Sequence, residues 1–74
     1  MTYEELDTIV LTRDIPELAL HRGDLGVIVL RHGPTTVEVE FTSAPGTAPT
    51  VTAIPMDAMR LARAGDVQRN SPRT

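Results

Sequence analysis

Few side chains in this 74-residue chain have the type and spacing to do chemistry. His21 and His32 are its only imidazoles, and each lies in an expected turn beside an arginine, Arg22 and Arg31. The ordinary reading of such a histidine is an exposed turn residue; service as a base or zinc ligand needs a neighbouring carboxylate that neither position has in sequence. Glu38 and Glu40 stand one residue apart, so on a strand their carboxylates project side by side. Paired carboxylates can bind a cation, share a proton or meet the arginine or lysine of a partner, and their bland reading is the solvated face of a half-buried strand. Asp14-Ile15-Pro16-Glu17 places two more acids around a rigid proline. Either Pro16 stiffens a loop whose acids cap nearby N–H groups, or the segment is a recognition loop on a rigid scaffold.

The remaining candidates read as architecture. Gly23, Asp24 and Gly26 suit a tight turn and a close backbone approach better than a phosphate cradle, because no helix begins there to add its dipole. Met56 and Met59, three apart, plug a core or adapt to an interface. Arg60 and Arg63 are the only close pair of cations in the body. With no matched nucleophile, acid and base, the expectation is a protein that is not an enzyme and carries no cofactor and no metal. A small metalloprotein using His21 or His32 with a glutamate is the least favoured alternative.

Composition narrows the class. The chain has no cysteine, one Phe, one Tyr and no Trp, so neither disulfides nor large aromatics support its core. A chain this short buries only about 60% of its unfolded surface, and a permanent partner or a homo-oligomer would help it. Five arginines precede residue 65 against nine acids, a balance of −4, which opposes a phosphate-binding groove. All seven basic residues are arginine, as in high-GC bacterial genomes. The acidic N-terminus lacks a basic start and an apolar run, and Val27 to Leu30 is far too short to cross a bilayer. The cytoplasm is the expected compartment.

These residues need a sheet to position them. Asp7 to Thr12 reads as a first strand, followed from Asp14 to Leu20 by an irregular excursion with Leu18 and Leu20 available to cap a core. After the Gly23-Asp24 turn, Leu25 to Arg31 reads as a central, bent strand with Val27 and Val29 on one side and Ile28 and Leu30 on the other. Arg31 to Thr35 closes a hairpin. The third strand has the clearest period, with Val37, Val39 and Phe41 inward and Glu38 and Glu40 outward. Ser43 to Pro49 reads as a mobile loop, and Thr50 to Ile54 as a fourth strand ended by Pro55. A single turn over Met56 to Met59, of 3₁₀ type, leads to a closing strand at Arg60 to Ala62; a short helix from Pro55 to Ala64 is the rival. The expected fold is an all-β, five-stranded SH3-like barrel over residues 1–64 with a disordered tail over 65–74. Closure of the barrel would hide the strand edges.

Ile9-Val10-Leu11, Asp14-Ile15-Pro16-Glu17, Leu20 with Gly23-Asp24-Leu25-Gly26, and Val37-Glu38-Val39-Glu40-Phe41 together resemble a small bacterial family catalogued as domain of unknown function 4926, over roughly residues 6–62. The resemblance implies an SH3-like barrel and no established activity. Similar barrels occur in KOW modules and in the β subunit of nitrile hydratase, whose Gly-Asp-x-Gly turns look like this one. The leading expectation is a protein-interaction module using Asp14, Glu17, Glu38 and Glu40 on a basic partner encoded nearby. It would act as an antitoxin or immunity-like inhibitor, or as an accessory or assembly subunit. One alternative is a KOW-like nucleic-acid binder in which Arg22, Arg31 and Arg60 converge; another is an accessory protein of a metalloenzyme.

Overall fold

The computed structural model describes residues 3–41 and 48–66. Its strands are β1 (Thr8–Leu11), β2 (Leu25–Arg31), β3 (Thr36–Phe41), β4 (Thr50–Pro55) and β5 (Met59–Leu61), with 3₁₀ turns at Pro16–Leu18 and Met56–Ala58. The five strands form one antiparallel sheet in the order β4-β3-β2-β1-β5, with β2 at its centre. This is an all-β domain compatible with a small barrel.

Period-two alternation sets the core. Val37, Val39 and Phe41 of β3 are buried beside Ile28 of β2, Ile54 of β4, Ile9 and Leu11 of β1, and Met59 of β5. Ala58 reaches the same cluster from the 3₁₀ turn, which packs where proline at position 55 ends β4. Gly26 faces inward opposite Phe41, and a Cβ there would lie 2.4 Å from Val39 Cγ1. The absence of a side chain leaves the room that the Val39 and Phe41 side chains fill.

Two expectations are corrected. Leu30 does not share the inner side with Ile28, because the β2–β3 register shifts between those residues. Such a bulge sets two residues of one strand against one of the next and reverses the facing of all that follow. Leu30 therefore lies opposite Glu38 and is 47% exposed, whereas Ile28 is fully buried. Of the two leucines expected to cap the core, Leu20 packs against it and Leu18 does not: Leu18 is 41% exposed, and the buried residue of the excursion is Ile15, which bridges to Leu20. Pro16 starts the 3₁₀ turn immediately after Ile15 and so directs the next side chains outward.

The described residues run past β5 to Asp66. Residues 64–66 make one helical turn, whose Asp66 carboxylate accepts the Arg63 N–H at 2.8 Å, as the acidic member of a capping box does. Most of the loop expected at Ser43 to Pro49, and the tail from residue 67, lie outside the described residues. β4 and β5 are joined through the Met56–Ala58 turn, and no ladder links them among the described residues.

Candidate functional site

Glu38 and Glu40 project from the outer face of β3, because Val37, Val39 and Phe41 take the inner one. Cross-strand register gives each an apolar neighbour on both sides: Glu40 lies between Val27 and Val51, and Glu38 between Leu30 and Ala53. Val51 is 51% exposed. The outer surface of β2-β3-β4 is thus two carboxylates set among accessible apolar side chains. His32, in the β2–β3 hairpin, comes within 3.3 Å of Glu38 through its Nδ1. The face therefore has one carboxylate beside an imidazole and one, Glu40, bordered by valines.

Asp14 and Glu17 stand elsewhere, on the excursion between β1 and β2. One Asp14 oxygen accepts the Arg22 N–H at 2.8 Å and ties the excursion to the Gly23 turn. Asp24 completes that turn by accepting the His21 N–H at 2.9 Å. Glu17 is exposed on the 3₁₀ turn; its neighbour Leu18 lines an open depression together with Leu20, Leu25, Phe41 and Val51. Asp14 is thus engaged in the backbone, and Glu17 borders apolar surface that reaches β4.

Arg60 is clamped. Its two terminal nitrogens donate to the two Asp66 oxygens at 2.8 and 2.9 Å, the bidentate geometry that favours arginine over lysine. Arg22 lines the same shallow concavity over Val10, but Arg31 ends β2, at the far end of a seven-residue strand and roughly 20 Å along it. The three arginines form no single cluster. Among the described residues, no three His, Cys, Asp or Glu side chains stand together where they could hold a metal ion, and no helix is long and apolar enough to cross a membrane.

The hydrogen bonds from Arg60, and after them the Arg63 N–H, hold the Asp66 carboxyl well below its ordinary value of 3.8. A carboxyl lowered in the folded state stabilises it fully above the unfolded value and loses that contribution as pH falls through the folded one. The melting-temperature gap between the native chain and Asp66→Asn is therefore expected to be constant above about pH 5 and to shrink on acidification below about pH 4. A gap that does not change with pH contradicts a role for the ion pair in stability.

A family model described as Domain of unknown function (DUF4926) matches residues 5–61. The chain belongs to that family. No curated protein and no solved structure matches it. The DUF4926 match takes in all five strands, Glu38 and Glu40, and it stops between Arg60 and its partner Asp66.

Reading the sequence of this DUF4926 chain missed Leu30 and Val51 as parts of the acidic face. Val51 was open to inference: it stands three positions before Ile54, so on a strand the two must face opposite ways. Leu30 was not, because an apolar run gives no sign of where a bulge falls.

Proposed function

We propose that this DUF4926 chain is a non-enzymatic, cytoplasmic protein-interaction module that docks a basic protein partner. It would act as an antitoxin or immunity-like inhibitor, or as an accessory or assembly subunit. The observation behind this reading is the outer face of β2-β3-β4, where Glu38 and Glu40 alternate with Val27, Leu30, Val51 and Ala53. Apolar area supplies association energy and the carboxylates select and steer a cationic partner. The half-exposed Leu30 and Val51 add apolar area to that face that a partner can cover. The nucleic-acid reading is weaker, since phosphate binding draws its affinity from clustered cations and the best-placed arginine, Arg60, is already neutralised by Asp66.

Native chain immobilised at low salt in a lysate of its own host is expected to retain one protein in stoichiometric amount, and the double variant E38R/E40R to lose it. A control reversal at exposed Glu4 and Glu5 should retain it. Recovery of no protein, or equal recovery by E38R/E40R, removes this reading.

A further inference from the structure

Among the described residues, β4 is an edge strand blunted only by proline, with Pro49 just before it and Pro55 at its end. Among the described residues it pairs only with β3. Its residues Thr50 to Pro55 are mostly exposed and include no charged side chain, whereas edges of stable sheets are commonly blunted by lysine and bulges as well as by proline or a covering segment. The backbone phase of this edge follows from one bond. Met56 N–H donates to Thr35 C=O at 2.8 Å, one step beyond the Thr36–Pro55 pair. Hydrogen-bonded and non-hydrogen-bonded pairs alternate along an antiparallel ladder. Ile54 and Thr52 therefore bond to β3, while Val51, Ala53 and Pro55 direct their backbone groups away from it. Pro55 lacks an N–H, so among the described residues the donors with no strand beside them are those of Val51 and Ala53.

The same two residues carry the acidic face outward. Val51 is directly opposite Glu40 and Ala53 directly opposite Glu38, with the carboxylates one strand further in. A strand added beside β4 would set side chains two residues apart over Val51 and Ala53, roughly 10 Å from the backbone of β3. A long basic side chain can lay its methylenes on Val51 or Ala53 and still bring its charge to Glu40 or Glu38. We propose that the partner binds by strand addition to β4, presenting an extended segment with arginine or lysine at alternate positions. A second copy of this chain fits worse, because β4 brings no cation to the glutamates. The proposal rests on the reading of Glu38 and Glu40 as the docking face and adds how the partner's backbone is held.

The test uses two synthetic peptides of equal composition, one alternating arginine with valine and one with its arginines contiguous, titrated into the full chain at low salt with amide exchange followed by NMR. The alternating peptide is expected to bind and to slow exchange of the Val51 and Ala53 amides by at least about tenfold, while Thr52 and Ile54 change little. The contiguous peptide should do neither. E38Q/E40Q should weaken binding about tenfold or more. Ala53→Pro, which removes a free N–H at an edge position, should abolish protection at Val51 with melting temperature monitored for folding. Peptide binding that depends on Glu38 and Glu40 but leaves Val51 and Ala53 exchange unchanged overturns strand addition and spares the docking face. Absence of binding, or protection of those amides in the free chain that rises with protein concentration, overturns the proposal as well.

Discussion

Ile28→Ala is expected to cost about 2–5 kcal/mol and to leave little folded protein at 37 °C. Ile28 is fully buried at the middle of the central strand, opposite Val39, and belongs to the single apolar cluster. At roughly 0.05–0.15 kcal/mol per residue a chain of this length has about 4–11 kcal/mol of total stability, and no disulfide to fall back on. Each kcal/mol lost lowers the melting temperature of so small a domain by about 4–8 °C. Leu30→Ala, two positions along the same strand, is expected to change stability by no more than about 0.5 kcal/mol, as for surface positions generally. Urea denaturation of both variants measures the contrast; equal costs mean that Leu30 is inside and the bulge absent.

Gly26→Val should be comparably damaging, for the opposite reason. The first added carbon already meets Val39 Cγ1 at 2.4 Å and the Phe41 ring at 2.9 Å. Neither neighbour can swing aside cheaply, since Val39 is stiff at χ1 and Phe41 is packed in the core. Overpacking of this kind costs about 1–3 kcal/mol for modest insertions, and the two methyls of valine add to it. Gly26→Ala is expected to fall between native chain and Gly26→Val in thermal melts. If either variant melts at the native temperature, the Val39 and Phe41 side chains pack less tightly over Gly26 than described.

Much of this fold was legible because two-residue alternation is unambiguous where one face is apolar and the other charged. β3 is the example: Val37, Val39 and Phe41 could only go inside together, and the glutamates between them could only go out. The 3₁₀ turn over Met56 was legible from the shortage of residues between Pro55 and the last strand. β2 was harder. Leu25 to Leu30 is apolar but for Gly26, so its pattern is compatible with either phase, and the bulge that decides between them depends on β3. Leu18 and Ile15 illustrate a related limit. Two apolar residues in an irregular segment compete for one place over the core, and only the backbone path around Pro16 selects Ile15. Of the four acids first singled out, Glu38 and Glu40 share a face, as alternation requires. Asp14, by contrast, is bound to Arg22 through a contact eight residues apart, which no local pattern encodes.

Side-chain length divides labour among the acids, apart from Asp57, which faces Arg13 from an exposed position. Asp7, Asp14, Asp24 and Asp66 each turn back onto a main-chain amide, at Glu4, Arg22, His21 and Arg63, a reach for which one methylene suffices. Glu17, Glu38 and Glu40 are a carbon longer and stay on the outside. A formal charge of −3 therefore overstates what an approaching molecule can grip, and exchanging aspartate for glutamate at position 24, though isoelectric, should loosen a corner while leaving the exterior field untouched.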